Sequence, residues 1–234
     1  MRIDVLTLFP EMFGPVLGGS ILKRAAEKGI TSYHLHQLRD YTRDPHRKVD
    51  DRPFGGGPGM ILMCQPVLDA VAAIEAMAEC PAVRVLLAPT GERFSQRLAE
   101  ELSAAPRLLL MAGHYEGFDE RIHELLRPRE ISIGDYVLSG GEVPAMVVID
   151  AVVRLLPGVL GDSSSPHGES FGAADATVCG GLEYPQYTRP REYRGLSVPE
   201  VLVSGNHPAV EAWRREQAAR RTRERRPDLA GDGA

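Results

Sequence analysis

Residues 132–146 read SIGDYVLSGGEVPAM, and this stretch carries the strongest local signals in the chain. A strand-like pair comes before a glycine, a short apolar segment follows, and Gly140 and Gly141 stand side by side before Pro144. Proline suits a first helical turn, where its missing N–H is not needed, and residues 145–153 are apolar enough for a buried helix. The stretch predicts a strand, a glycine turn and a helix start. Open backbone beside a helix start can bind a ligand, although a tight loop without a ligand fits this stretch equally well.

The composition of the chain limits the class of protein. It has 234 residues, of which 43% are hydrophobic and 25% charged, and this fits a globular protein with a sizeable core. No apolar run reaches the roughly 18 residues that span a bilayer, and the N-terminus lacks the pattern of a signal peptide. Three scattered cysteines argue against a disulfide framework or a zinc site. We therefore expect a cytoplasmic protein with no membrane partner.

Basic residues are concentrated near the C-terminus of a chain whose net charge is −5. They are Arg214, Arg215, Arg220, Arg221, Arg223, Arg225 and Arg226. A local basic surface can attract phosphate even on an acidic protein. The alternative is a solvated helix in which neighbouring glutamates pair with these arginines.

Strand and helix patterns alternate through the first two thirds of the chain. Strands are predicted at 2–9, 30–38, 84–88, 107–111 and 130–133, and helices at 20–28, 65–78, 95–102, 118–125 and 145–153. Such alternation is typical of an α/β fold with a mostly parallel sheet. Three successive strands end in glycine-containing loops at 89–91, 113–117 and 133–135. Because ligands usually bind at the carboxyl ends of parallel strands, these loops predict the ligand site.

Two other segments shape the expected organisation. Residues 44–60 form a long, charged and glycine-rich loop without a nucleotide-binding fingerprint, which favours a ligand-facing or RNA-facing loop over a plain surface loop. Residues 161–181 are rich in Gly, Ser and Ala and read as a flexible linker. We therefore expect a cofactor-binding domain at 1–160, a linker at 161–181 and a small helical domain at 182–234.

Several motifs together resemble the bacterial tRNA (guanine-N1)-methyltransferases of the TrmD family, in the SPOUT class. The resemblance covers nearly the whole chain. It rests on LFPEMF at 8–13, HRKVDDRPFGGGPGM at 46–60, GHYEGFDER at 113–121, residues 132–146, YTRP at 187–190 and LVSGNH at 202–207.

The resemblance implies a trefoil-knotted α/β domain that holds S-adenosylmethionine and a homodimer with its active site at the subunit interface. The implied reaction is methyl transfer to N1 of guanosine at tRNA position 37, next to the anticodon, where another guanosine precedes it at position 36. A magnesium requirement goes with the family, at an unknown site.

The resemblance also implies roles for individual residues. Glu169 is expected as the general base, and Arg154 as the cation at O6 of guanine. The expected cofactor-binding residues are Leu87, Pro89, Gly91, Gly113, Tyr115, Glu116, Ile133, Gly134, Tyr136, Leu138, Gly140, Gly141 and Pro144. The expected tRNA-binding residues are Lys48, Asp50, Gly59, Ser165, Ser170, Thr188, Arg189 and Arg220.

The chain departs from the family pattern in the linker and in one loop. Glu169 stands where the family has aspartate, and the segment after Phe171 is longer than usual, so Asp162 and Asp175 stay open as alternatives for the base. His114 stands where arginine is commoner. A second reading is a tRNA-binding module that has lost methyl transfer, and a third is an RNA methyltransferase with a shifted target.

Overall fold

The computed structural model describes residues 1–160, 169–172 and 180–229. The chain divides into two compact units, Met1–Gly161 and Asp162–Ala234. Most of the predicted linker at 161–181 lies outside the described residues, so the three-part division stays a prediction. In the part of the chain that is described, no helix is both long and apolar enough to cross a membrane.

The first unit is built on a parallel sheet. Its strands are β1 (Arg2–Thr7), β2 (Ser32–Gln37), β3 (Asp50–Asp51), β4 (Ile61–Leu62), β5 (Val83–Arg93), β6 (Arg107–Ala112) and β7 (Arg129–Ser132). Five of them form the sheet in the order β2-β1-β6-β5-β7, and every neighbouring pair is parallel. The predicted mostly parallel α/β sheet is therefore confirmed. The short strands β3 and β4 form a separate antiparallel pair.

Helices cover both faces of the sheet. They are α1 (Gly14–Leu17), α2 (Ser20–Glu27), α3 (Cys64–Glu75), α4 (Gln96–Ser103), α5 (Glu120–Leu126) and α6 (Glu142–Val153), with 3-10 turns at Pro10–Met12 and Leu38–Asp40. Successive strand side chains point to opposite faces, so β6 sends Leu108 and Leu110 into one core and Leu109 and Met111 into the other. The first core is shared with α2, α4 and α6, and the second with α3 and α5. Burial on both faces explains why β6 is apolar at consecutive positions.

A charged pair is buried in the second core layer. Asp4 and Arg107 are 0% and 1% exposed, and Nε of Arg107 donates to Asp4 over 2.9 Å. Arg107 also donates to the carbonyl of Ile74 over 2.6 Å and to that of Glu75 over 3.1 Å. It thereby supplies hydrogen-bond donors to carbonyls in the last turn of α3, which have no partner within the helix. Burial raises the pKa of Asp4, but hydrogen bonds from His36, Arg2 and Arg107 outweigh it and leave the pKa well below its ordinary value.

Several predicted boundaries differ from the structure by a few residues, and two of the differences have a clear cause. β5 runs on to Arg93 instead of ending at residue 88, because Leu87 and Glu92 both align with Ile131 of β7, so the residues between them form a bulge. Helix α6 begins at Glu142, three residues before the predicted start, because Gly141 takes the N-cap position. Pro144 still lies in the first helical turn.

The described part of the second unit is mainly helical. It contains the hairpin of β8 (Glu192–Tyr193) and β9 (Leu196–Ser197), then α7 (Glu200–Val203), α8 (His207–Arg225) and a 3-10 turn at Pro227–Leu229. The side chain of Asn206 caps α8 by accepting from the amide of Ala209 over 3.2 Å. The amide of Leu182 donates to Thr222 over 2.8 Å, which ties the chain before the hairpin to α8.

Candidate functional site

The bulged part of β5 and the loops that follow β6 and β7 meet at one edge of the sheet. Together with the start of α6 they enclose a cavity of about 390 Å³. Small-molecule sites typically span about 300–1,000 Å³, so a single ligand of nucleoside size fits. The three predicted segments meet at this edge, although residues 89–91 belong to the bulge of β5 and not to a loop after it.

Nearly all of the predicted cofactor-binding residues line this cavity. They are Leu87, Pro89, Gly113, Tyr115, Glu116, Ile133, Gly134, Tyr136, Leu138, Gly140, Gly141 and Pro144. Gly91 is not among the lining residues. A Cβ at Gly91 would lie 2.4 Å from the amide nitrogen of Ile131, so glycine is needed there for the close approach of β5 to β7.

Bare backbone forms much of the cavity wall. A Cβ at Gly113 would lie 2.6 Å from the ring of Phe118, and one at Gly141 would lie 2.8 Å from Cα of Ala112. Gly134 has a φ of 152°, where a side chain is strained. These glycines therefore leave the main chain bare at the cavity wall, which lets a ligand approach the backbone closely.

A buried carboxylate lies behind the wall, and sequence reasoning gave it no role. Glu142 is 2% exposed and accepts a hydrogen bond of 2.8 Å from the hydroxyl of Thr7. Its other oxygen lies 3.5 Å from Nδ1 of His114, which lines the cavity. An acid directly after two glycines at a helix start was the available signal, since helix N-termini favour negative charge.

A second histidine–carboxylate pair lies at the cavity edge and was also missed. Nδ1 of His123 lies 2.7 Å from Glu130, and the hydroxyl of Thr90 donates to the same carboxylate over 3.1 Å. His123 and Thr90 both line the cavity. No local pattern connects these residues, because three different elements supply them.

The glycine-rich loop at 44–60 is fastened beside the cavity. The carbonyl of Met60 accepts from the amide of Glu116 over 3.0 Å, and a Cβ at Gly59 would overlap the Glu116 side chain. Asp50 belongs to β3 and pairs with Leu62. Lys48 is exposed. The structure thus brings Gly59 to the cavity rim, while Lys48 lies on the surface of the same loop.

The predicted catalytic residues lie in different units. Arg154 is the half-buried C-cap of α6 in the first unit, a place where a cation also favours the helix dipole. Glu169 belongs to the second unit, where its carbonyl accepts from the amide of Gly172 over 3.1 Å. The alternatives Asp162 and Asp175 lie outside the described residues.

The remaining predicted tRNA-binding residues belong to the second unit. Ser170 accepts from the amide of Glu183 over 3.0 Å, and Thr188 and Arg189 are exposed. Arg220 donates to Gln217 over 2.6 Å, and its Nε lies 4.0 Å from Glu224, a glutamate contact of the kind that the solvated-helix alternative expects. Ser165 lies outside the described residues.

A metal site does not emerge from the residues present. Among residues 1–160, 169–172 and 180–229, no three His, Cys, Asp or Glu side chains form a group that could hold a metal ion. The described residues therefore do not fit a dedicated magnesium site, and the magnesium requirement stays a prediction.

Comparisons with known proteins agree over almost the full length. The family model described as tRNA (Guanine-1)-methyltransferase TrmD matches residues 1–232. A tRNA (guanine-N(1)-)-methyltransferase of Rhodopirellula baltica is 55% identical over 230 residues, which cover 98% of this chain and 93% of that protein. Proteins with the same name from Moorella thermoacetica and Bacillus subtilis are 56% and 53% identical, covering 98% and 99% of this chain and 90% and 93% of their own. The chain belongs to the TrmD family of tRNA (guanine-1)-methyltransferases.

Proposed function

We propose that this chain methylates N1 of guanosine 37 in tRNA with S-adenosylmethionine as donor, and that Glu169 and Arg154 carry out the chemistry. The reaction follows from membership of the family. The observation that carries the proposal is the glycine-walled cavity of about 390 Å³ at the ends of three parallel strands.

The cavity fits S-adenosylmethionine by its size and its wall. When bound, this cofactor supplies an electrophilic methyl group. The polar edges of a nucleoside need donors and acceptors at close range, and the glycines at 134, 140 and 141 leave the backbone of the wall open to such an approach. Leu87, Ile133 and Leu138 add apolar wall area. Such a mixture of apolar walls and a few polar groups is usual for cofactor sites.

The proposed roles of Glu169 and Arg154 follow from the chemistry of guanine. N1 carries a proton at neutral pH, and the nitrogen becomes a good nucleophile only when that proton leaves. Glu169 would accept it as general base, and Arg154 would stabilise the negative charge that moves toward O6. Glutamate has one more methylene than the aspartate that the family pattern places there. Since a misplacement of about 1 Å can cost on the order of a hundredfold in rate, the linker has to compensate for that length.

The proposal includes tRNA contacts at Lys48, Asp50, Gly59, Ser165, Ser170, Thr188, Arg189 and Arg220. tRNA is the substrate, and its phosphates would be attracted to the arginines of the second unit. The trefoil knot, the cytoplasmic location and the magnesium requirement rest on the resemblance to the family alone.

The proposal also includes a homodimer with its active site at the subunit interface. Val143 and Val147 support an interface, because they lie one helical turn apart on α6 and are 48% and 41% exposed. Exposed apolar side chains on one helix face are a usual sign of a contact surface.

The direct test is methyl transfer from labelled S-adenosylmethionine to unmodified tRNA with guanosines at positions 36 and 37. We expect label in 1-methylguanosine at position 37, and none in a matched tRNA with adenosine there. Cofactor binding without transfer to the first tRNA would reject the enzyme and favour the tRNA-binding alternative.

A further inference from the structure

One ring nitrogen of His114, Nδ1, is a buried polar atom without a hydrogen-bond partner among the described residues. The atom faces Oε2 of Glu142 at 3.5 Å, a distance slightly too long for a hydrogen bond. Buried polar groups are almost always paired. A small movement of the ring would let Nδ1 of His114 donate a hydrogen bond to Oε2 of Glu142.

The carboxylate of Glu142, which faces His114, is fixed by a hydrogen bond to its other oxygen. The Thr7 hydroxyl donates to Oε1 of Glu142 over 2.8 Å, and Glu142 is 2% exposed. Burial of a carboxylate is unfavourable unless its oxygens are hydrogen-bonded or paired with a cation. Oε1 has Thr7, and Oε2 faces the histidine. A small approach of the ring would therefore satisfy both groups at once.

The ring of His114 is held in a narrow range of orientations. It packs against Phe9 with ring centroids 4.9 Å apart and against the edge of Tyr115 at 5.1 Å. Gly140 leaves space for the pair, because a Cβ there would lie 2.3 Å from Oε2 of Glu142 and 2.4 Å from Nδ1 of His114. With Nδ1 turned toward the carboxylate, the opposite ring nitrogen, Nε2, points away from it. His114 lines the cavity.

We propose that Glu142 is a positioning residue that accepts the Nδ1–H of His114 and thereby presents Nε2 of His114 to the bound S-adenosylmethionine. This inference rests on the proposed function, since it takes the cavity as the cofactor site. Glu142 does not touch the cofactor; it sets which nitrogen of His114 carries the proton, as the partner of a functional histidine commonly does. Filling the cavity closes the 3.5 Å gap, in line with the long contacts that active sites show before they bind their ligands.

The test combines cofactor affinity with nitrogen NMR of the histidine rings at fixed neutral pH. In the wild-type protein with S-adenosylmethionine, we expect Nδ1 of His114 to be protonated. In Glu142→Gln we expect the His114 ring shifts to change and the cofactor Kd to rise about tenfold, the usual difference between a hydrogen bond to a charged acceptor and one to a neutral acceptor. Thr7→Val keeps the side-chain shape and should move the same His114 signals by a smaller amount.

The matched control is Glu130→Gln, which removes the charge beside His123 instead. It should move the ring signals of His123 and leave those of His114 in place. Circular dichroism shows whether each variant is folded. If Glu142→Gln is unfolded, the His114 signals of Thr7→Val provide the test instead.

Two results would overturn the inference while leaving the proposed function intact. One is a cofactor complex in which Nδ1 of His114 carries no proton. The other is a folded Glu142→Gln protein with unchanged His114 shifts, whatever its affinity, because a purely structural role predicts that outcome. Failure of the wild-type protein to bind S-adenosylmethionine would reject both the inference and the cofactor site.

Discussion

The amide nitrogen of Gly141 lies 2.6 Å from the carbonyl oxygen of Gly113, a hydrogen bond between residues 28 positions apart. It joins the loop after β6 to the start of α6. Because Cα of Ala112 would lie 2.8 Å from any Cβ at Gly141, the two backbones can approach this closely only when residue 141 is glycine. Two walls of the cavity are therefore fixed to each other by main-chain atoms.

Substitution of Gly141 by alanine should damage the cavity. In Gly141→Ala the new methyl group would push α6 away from the β6 loop, and we expect S-adenosylmethionine to bind at least about tenfold more weakly, since backbone hydrogen bonds to a ligand require exact placement. Calorimetric titration measures the effect. Gly14→Ala is the control, because a Cβ at Gly14 meets nothing within 4 Å. Equal affinities in the two variants would contradict this account of the wall.

The buried pair of Asp4 and Arg107 should matter for stability and not for cofactor contact. Asp4→Asn leaves Arg107 buried without its anion, and we expect a loss of about 3 kcal/mol in the free energy of unfolding. Urea denaturation measures it. Asp69→Asn is the control, since Asp69 pairs with Arg43 at the surface, with 39% of its side chain exposed, and should change the midpoint much less. Similar losses for both variants would show that burial does not set the strength of the first pair.

The same pair predicts a pH dependence. The pKa of Asp4 is depressed in the folded protein, so the unfolded chain takes up a proton at higher pH than the folded one does. The contribution of Asp4 is fully present above its unfolded pKa of about 3.9 and is lost progressively as the pH falls below it. Urea midpoints from pH 7 to 3 should show the gap between wild-type protein and Asp4→Asn narrowing at the acid end. If the difference in midpoint between the two proteins widened at low pH, folding would raise the pKa of Asp4 and not lower it.

Local sequence patterns were sufficient to predict the sheet, but they did not predict the buried contact of Glu142 behind the cavity wall. The apolar residues of β6 and the glycines at 140 and 141 predicted a strand and a tight helix entry, because periodicity and glycine chemistry act over a few residues. The contact between Thr7 and Glu142 spans 135 positions, and no local rule brings these two side chains together.

Gly91 shows that a glycine can have a structural role that its neighbours in the sequence do not reveal. Its place after a predicted strand suggested a ligand loop, whereas its small size serves the approach of β5 to the backbone of β7. The bulge that extends β5 depends on the register with β7, a strand whose sequence lies about forty residues further along the chain. Sequence spacing alone does not reveal whether a glycine allows a ligand to approach the backbone or allows two strands to approach each other.

The second unit should contribute electrostatically to tRNA binding. Arg189 is exposed, and Arg189→Ala should weaken tRNA binding several-fold and reduce the salt slope of log K by about 1, as expected for one phosphate contact. Filter binding at several salt concentrations measures both quantities. Arg97→Ala, at an exposed position of α4 in the first unit, is the control. An unchanged salt slope in Arg189→Ala would place Arg189 outside the phosphate contacts.

Methyl transfer by Glu169→Gln under single-turnover conditions tests the proposed chemistry most directly. Glutamine is close to glutamate in shape but does not accept the N1 proton, so we predict a fall in rate of at least about a hundredfold with cofactor and tRNA affinities little changed. Glu169→Asp should retain measurable transfer, since the carboxylate remains. Full activity in Glu169→Gln would contradict the account and move the base to another residue, with Asp162 and Asp175 the first to examine.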